Sequence, residues 1–205
     1  FSYICEIKRT KVALIQKVKE NFGKRFMQKE ISLLHRKKNL LNLADAKTVA
    51  LLFNADEREE FELVKKYVAY LKELGKKVKV VGYYTTKELM SMSYSKLEYT
   101  FFSVKELNWH QKPNDLYINN FIAEEHDILL DLNIHDFFPL TYIAALSKAK
   151  CKVGKYTEEY GEIYDLMIET DVSKGMKYFL RNVDTYIDML NKKNDPATAE
   201  KQKQK

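Results

Sequence analysis

The sequence predicts an α/β fold, a three-layer sandwich whose mainly parallel, Rossmann-like sheet has five or six strands. The first indication is the apolar run in 47–53, because a parallel strand is covered on both faces and needs apolar side chains on each. The second is that strand-like and helix-like segments alternate from this run to residue 190. The third is a basic, periodically apolar segment ahead of the first strand, which predicts a long amphipathic helix preceding the sheet.

The chain divides into three predicted parts: a basic helical segment over 1–44, an α/β domain over 45–191, and a disordered tail over 192–205. Residues 1–44 carry eleven Lys or Arg against three Glu, whereas the remainder is close to neutral. The tail lacks apolar periodicity, so it offers nothing for a core to bury. A chain of 205 residues with 45% hydrophobic content is sufficient for one α/β domain and marginal for two.

Residues 4–38 are predicted to form one long helix or two shorter ones, because apolar residues recur there at steps of three and four. Gly23 is a candidate break, since glycine costs about 1 kcal/mol relative to alanine inside a helix. The apolar stripe comprises Ile4, Ile7, Leu14, Ile15, Val18, Phe22 and Phe26.

The α/β domain contains the remaining predicted elements, of which the helices begin at residues with capping chemistry. Asp56, Asp136 and Ser173 are the expected N-caps, and Gly75 is expected to end the first helix. The predicted strands are 47–53, 76–84, 98–104, 126–132, 151–155 and 162–169, and the predicted helices are 56–75, a short one within 85–99, 114–123, 136–149 and 173–190.

Several familiar active-site motifs are absent from the sequence, namely GxGxxG, GxxxxGK[ST], GxSxG, HExxH and CxxC. The turn after the first strand, Asn54–Glu57, has no glycine and carries acids that would repel a phosphate. These absences disfavour standard NAD, FAD and P-loop nucleotide sites, and we expect no cofactor. Cys5 and Cys151 are expected to be reduced thiols, and no structural metal site is expected.

A candidate ligand crevice lies where a Rossmann-ordered sheet reverses, between the first strand and the strand over 126–132. Three carboxylates and an imidazole there could bind Mg²⁺ or act as acid and base. Helix capping by Asp56 and Asp136, and loop hydrogen bonding by Asp131, are the structural alternatives. The candidate residues are Asn54, Asp56, Asp131, Asn133, His135 and Asp136.

The basic N-terminal helix has three interpretations. Its apolar stripe could dock on the α/β domain or on a second copy, with the lysines in solvent. Alternatively, residues 1–38 could bind RNA through phosphate contacts, or an anionic membrane surface through a basic and apolar helix. The candidate anion-binding residues are Lys8, Arg9, Lys11, Lys17, Lys24, Arg25, Arg36, Lys37 and Lys38.

No secretory signal or transmembrane helix is visible, and we therefore expect a cytoplasmic protein. The most apolar long window, Ile128–Leu146, is interrupted by polar residues such as Asp131 and His135.

The stretch from Asp127 to Lys155 combines a strand, the tripeptide DLN, a Pro-led helix, LSKAK and a VG-containing strand. This pattern resembles an uncharacterised family of conserved hypothetical proteins from Bacteroidota, and the resemblance spans about Lys47–Leu190. The resemblance carries no catalytic residues across, because no activity is attached to that family. The same stretch is similar to the N-terminal half of heptosyltransferase-type glycosyltransferases, but this chain is too short for their two domains.

The leading functional hypothesis is a non-enzymatic binding or interaction module that engages an anionic surface through its N-terminal helix. The alternative is an enzyme or sensor that binds a nucleotide or sugar-phosphate at the C-terminal edge of the sheet. The partner and the oligomeric state, including a homo-oligomer, stay open at this stage.

Overall fold

A computed structural model of the chain describes residues 2–85 and 98–190, and of residues 2–14 it describes only the backbone. The predicted disordered tail and nearly all of the short helix expected within 85–99 fall outside these residues.

The sheet has six strands in the order β3-β2-β1-β4-β5-β6, and every neighbouring pair is parallel. This confirms the predicted three-layer α/β sandwich with a Rossmann-like parallel sheet. The order reverses between β1 and β4, which both lie in the middle of the sheet. The strands are β1 Thr48–Asn54, β2 Lys77–Tyr83, β3 Tyr99–Phe102, β4 Ile128–Asp131, β5 Cys151–Lys155 and β6 Leu166–Ile168.

Five α-helices in the described residues cover the two faces of the sheet. Helices α2 and α5 pack on one face, and α1, α3 and α4 lie on the other. Short 3₁₀ turns occur at Val104–Glu106 and Val172–Lys174. The helices are α1 Ser2–Leu33, α2 Arg58–Glu73, α3 Leu116–Ala123, α4 Phe138–Leu146 and α5 Gly175–Met189.

Strand β1 shows why the first apolar run has no polar alternation. Val49, Leu51 and Phe53 contribute to the core under α2 and α5, whereas Ala50 and Leu52 contribute to the core under α4. All five side chains are fully buried, so both faces of this strand require apolar residues.

The three predicted N-caps were wrong, although the helices themselves are present. Helix α2 begins after Glu57, α4 after Phe137 and α5 after Lys174, and none of these caps makes a side-chain capping bond. Asp56 instead accepts hydrogen bonds from the backbone and hydroxyl of Thr85, at 2.5 and 2.7 Å. Asp56, which its residue type predicted to be an N-cap, therefore forms loop contacts instead.

Helix α1 ends at Leu33 rather than at residue 38, and it continues through Gly23 without a break. A Cβ at Gly23 would lie 2.4 Å from the carbonyl oxygen of His110 and 2.5 Å from the ring of Phe138. Gly23 therefore permits α1 to approach α4 and the loop around His110 closely. Met27 is buried one turn further along α1 and joins the core that α4 covers.

The segment that follows α1 is tied to the other end of α4. Arg36 donates hydrogen bonds to the carbonyl oxygens of Ala149 and Lys150, at 3.0 and 3.1 Å. Because Gly23 meets the beginning of α4 and Arg36 reaches past its end, α1 and α4 run in the same direction. Among the described residues, no helix is long and apolar enough to cross a membrane.

Candidate functional site

The predicted crevice is present at the reversal point of the sheet. A cavity of about 310 Å³ opens between the loop after β1 and the loop after β4. It brings together five of the six predicted residues, and Asp131 is the exception. The lining residues are Asn54, Asp56, Glu57, Glu60, Asn133, Ile134, His135, Asp136 and Phe137.

Asp131 is buried beneath the crevice rather than lining it. Its carboxylate accepts a hydrogen bond from the Tyr164 hydroxyl at 2.5 Å and another from the backbone N–H of Asn133 at 3.1 Å. Burial raises the pKa of Asp131, and the hydrogen bonds from Tyr164 and Asn133 oppose that shift. The structural interpretation, loop hydrogen bonding, therefore accounts for this residue.

The crevice is strongly acidic. Asp56, Glu57, Glu60 and Asp136 line it, and no Lys or Arg is among the described residues that line it. Burial raises the pKa of Glu60, an effect that His135 opposes by charge and Glu57 reinforces. Such a lining disfavours a phosphate ligand. Within the part of the chain that the structure describes, no group of three or more His, Cys, Asp or Glu could hold a metal ion.

A second cavity, of about 340 Å³, lies on the other side of the loop after β4. It is bounded by α1, by the loop over 104–111 and by the beginning of α4. It shares Asp136 and Phe137 with the acidic crevice. This cavity was not predicted from the sequence, because one of its walls belongs to α1, whose position on the sheet the residue pattern does not show.

The loop over 103–114 has a defined conformation. Ser103 and Glu106 form a capping box, and the Asn108 side-chain oxygen accepts from the backbone N–H groups of His110 and Lys112. Gln111 has a φ of 65°, an uncommon conformation for a residue other than glycine. The Gln111 side chain contacts α1 through a hydrogen bond to the Gln16 carbonyl oxygen, and Trp109, two residues earlier, is exposed.

The apolar stripe of α1 faces outward in its described part, which disfavours one of the three interpretations, docking of this stripe on the α/β domain. Ile15, Val18, Phe22 and Phe26 are 56%, 47%, 43% and 41% exposed. Trp109 is 57% exposed and extends the stripe, with its ring centroid 5.6 Å from that of Phe22. We call these five residues the α1 surface.

The α1 surface is bordered by basic side chains. Arg25 and Lys29 are exposed, and each lies three positions after a phenylalanine of the stripe. The acids of this helix segment are engaged elsewhere: Glu20 pairs with Lys24 at 3.1 Å and Glu30 with Lys112 at 2.8 Å. The α1 surface is therefore apolar at its centre and positive along one border.

The other predicted anion-binding residues are placed differently. Arg36 is buried in a bidentate ion pair with Asp165, so it is not available to a partner. Lys24 pairs with Glu159 as well as with Glu20. Lys17, Lys37 and Lys38 are exposed, whereas the side chains of Lys8, Arg9 and Lys11 lie outside the described residues.

The chain matches the family model described as a family of unknown function, DUF6913, over residues 19–190. The chain belongs to this family. The match spans all six strands and the part of α1 from residue 19 onward, so it includes Phe22, Phe26 and Trp109 of the α1 surface but not Ile15 and Val18. No curated protein and no solved structure matches the chain.

Two features of this DUF6913 chain escaped the sequence reasoning. The first is the ion pair of Arg36 with Asp165. Arg36 lies in the basic run from His35 to Lys38, and the sequence of that run does not show which of its residues is buried. The second is the association of Trp109 with Phe22, which brings together residues far apart in the chain. A tryptophan followed by polar residues in a long loop was the one available signal.

Proposed function

We propose that this protein is a peripheral membrane-binding module that lays its α1 surface on an anionic lipid surface. The observation that carries the proposal is the exposed row of Ile15, Val18, Phe22 and Phe26, extended by Trp109 and bordered by cations. A helix with such a row beside basic residues suits the boundary between headgroups and acyl chains.

The chemistry of the α1 surface supports this assignment. Phenylalanine and aliphatic side chains gain free energy by leaving water, at about 25 cal/mol per Å² of apolar area. Tryptophan is enriched at membrane interfaces, since its ring is apolar and its N–H is polar. Arg25 and Lys29 would each add about 1 kcal/mol of electrostatic attraction when they lie close to the surface of an anionic leaflet.

The composition of the surface favours lipid over the two other candidate partners. An RNA would use the cations and aromatic rings, but Ile15 and Val18 would gain little from phosphates and sugars. A second copy packed by the same helix would bring Arg25 and Lys29 of one chain near those of the other, which is unfavourable. An anionic bilayer uses the apolar row and the cations together.

Sedimentation with lipid vesicles tests the proposal. We expect the protein to bind vesicles containing phosphatidylglycerol, and to bind weakly to vesicles of phosphatidylcholine alone. Raising the salt concentration should weaken binding, since it screens exposed charges. The charge variant R25E/K29E and the apolar variant V18S/F22S should each lower the bound fraction at least about tenfold, given contributions near 1 kcal/mol per residue.

Matched controls separate this surface from general effects of charge and polarity. K66E/K177E reverses two exposed cations on the opposite layer, and L74S/M189S removes two exposed apolar side chains there. Both controls should bind vesicles as the unmodified protein does. Equal losses in the controls, or retained binding by the α1 variants, would refute the proposal. Binding of RNA instead, or a dimer broken by V18S/F22S, would assign the surface to one of the other partners.

A further inference from the structure

The cavity beside α1 combines features of a small-molecule site, and Trp109 is the one residue that it shares with the α1 surface. Its volume of about 340 Å³ lies at the small end of the range of about 300–1,000 Å³ for ligand pockets. It opens at the C-terminal edge of the sheet near the reversal point, where ligands of parallel α/β sheets bind. Its lining residues are Gln16, Lys19, Glu20, Tyr83, Val104, Leu107, Asn108, Trp109, Gln111, Asp136, Phe137, Phe138 and Pro139.

Aromatic rings form a large part of the cavity wall. The rings of Tyr83 and Phe137 lie with their centroids 4.3 Å apart, on the side of the strands. Trp109 lines the cavity from the side of the loop. Aromatic side chains on two sides suit a flat, unsaturated ring system, which gains stacking contacts as well as burial.

Gln111 supplies a buried polar group in the same cavity. Its side chain is 7% exposed, and its amide N–H donates to the Gln16 carbonyl oxygen of α1 at 3.4 Å. A primary amide offers both a donor and an acceptor, the combination that reads the edge of a heterocyclic base. The Gln16 side chain, which also lines the cavity, provides a second amide.

The charges that line the cavity leave one cation available. Asp136 forms an ion pair with Lys155 at 3.0 Å, and Glu20 shares Lys24 with Glu159 at 3.1 Å and 2.6 Å, so each lining carboxylate has a lysine beside it. Lys19 is exposed at the mouth and makes no ion pair within the described residues. Lys19 is therefore the lining cation that a phosphate could approach, and Gln16, Asn108 and Gln111 supply neutral polar groups.

We propose that this cavity binds a nucleoside monophosphate, with the base between the aromatic walls, Gln111 at its polar edge, and Lys19 at the phosphate. The small volume suits one nucleotide and not a dinucleotide. The acidic crevice across the Asp136 loop repels phosphate, so the phosphate points toward α1 and not toward the turn after β1. The inference is independent of the membrane proposal.

Titration in lipid-free buffer tests this site through Trp109, which is the chain's single tryptophan. AMP, GMP, CMP and UMP are added separately, and quenching of Trp109 fluorescence is checked by calorimetry. We expect at least one of them to bind with a Kd below about 1 mM. The K19Q variant should weaken that nucleotide about tenfold and leave the affinity for its nucleoside unchanged, because only the nucleotide carries the phosphate.

Two further variants complete the test. K17Q removes an exposed lysine of the same helix that does not line the cavity, so it should bind as the unmodified protein does. Q111G keeps a residue that accepts the positive φ and removes the amide, so nucleotide and nucleoside should both bind more weakly. Absence of binding by all four nucleotides would overturn the proposal, as would binding that K19Q and Q111G leave unchanged.

Discussion

Arg36 is the residue whose role differs most from its sequence interpretation. Its guanidinium meets both carboxylate oxygens of Asp165, at 2.6 and 2.8 Å, and the arginine side chain is only 6% exposed. The ion pair keeps the pKa of Asp165 below its usual range, although burial alone would raise it. Arg36 thereby fastens the segment after α1 to the segment before β6.

Replacing Arg36 with methionine should lower the free energy of unfolding by about 3 kcal/mol, because Asp165 would stay buried without its main partner. Urea denaturation measures this loss. The exposed neighbour Lys37 provides the control, and K37M should leave the urea midpoint unchanged. If R36M and K37M had equal urea midpoints, the ion pair between Arg36 and Asp165 would not stabilise the folded protein.

Lys152 is a fully buried lysine whose Nζ donates to the Ala145 carbonyl oxygen at 2.8 Å. Burial, assisted by the positive charge of Arg36, lowers the pKa of Lys152 to about 7, from 10.5 for a free side chain. Above pH 7, Lys152 keeps its proton in the unfolded chain and loses it in the folded chain. The free energy of unfolding should therefore rise with pH from 7 to 9, by up to about 1.4 kcal/mol per unit.

The K152M variant should abolish this rise, since methionine cannot titrate. Below pH 7 both states of the unmodified protein hold the proton, so this residue adds no pH dependence there. Urea denaturation at pH 7 and 9 measures the difference, with the exposed-site variant K148M as the control that should retain the rise. Equal slopes in K152M and K148M would contradict the assignment.

At the scale of the element, α1 depends on a close approach that glycine permits. In an exposed helix, replacing glycine with alanine stabilises by about 1 kcal/mol. At Gly23 the added methyl would overlap the His110 carbonyl oxygen and the Phe138 ring, so α1 must move away. We expect G23A to destabilise the protein and to expose α1 to proteolysis, whereas Q28A, at an exposed position, should do neither.

Protease sensitivity and the fluorescence of Trp109 together measure this effect. Trp109 lies against Phe22 and Phe26 with centroid distances of 5.6 and 6.1 Å, so its emission reports where α1 lies. A G23A protein with unchanged emission and unchanged digestion would mean that the contact at Gly23 does not hold α1 in place.

Sequence periodicity identified the apolar stripe of α1 but could not show which side of the helix contacts the α/β domain. The side of α1 that contacts α4 carries Gly23 and Met27, and the bulky rings belong to Phe138 and Tyr142 of α4. Periodicity measures the apolar character of a helix face, whereas docking also depends on whether the partner has space for large side chains. The position of α4 relative to α1 cannot be read from the sequence. The residue pattern therefore could not show that the face with Gly23 and Met27 fits against α4 better than the face with the large apolar residues.

At the scale of the whole molecule, the sheet was predictable because its physics is local. A strand such as β1 is buried on both faces, so it can be recognised in the sequence as an apolar run. The alternation of such runs with helices favours parallel pairing of the strands. The crevice at the reversal point followed from this topology. The exclusion of Asp131 from it did not, since that depends on Tyr164, which is far away in the chain.

In the whole molecule, the face of α1 that carries Gly23 and Met27 is buried, and the row of large apolar residues is left exposed. Trp109 lies within that row and belongs to the α/β body, so its environment reports on the intact arrangement. Membrane binding would place the indole in the interfacial region of the bilayer.

The most direct measurement is therefore Trp109 fluorescence with phosphatidylglycerol vesicles whose acyl chains carry bromine as a quencher. We predict a blue shift of the emission, quenching by the brominated lipid, and protection from iodide in the water. The V18S/F22S variant should lose all three effects. The proposed membrane-binding function would be contradicted if, at the highest vesicle concentration, Trp109 showed no blue shift, no quenching by the brominated lipid and no protection from iodide.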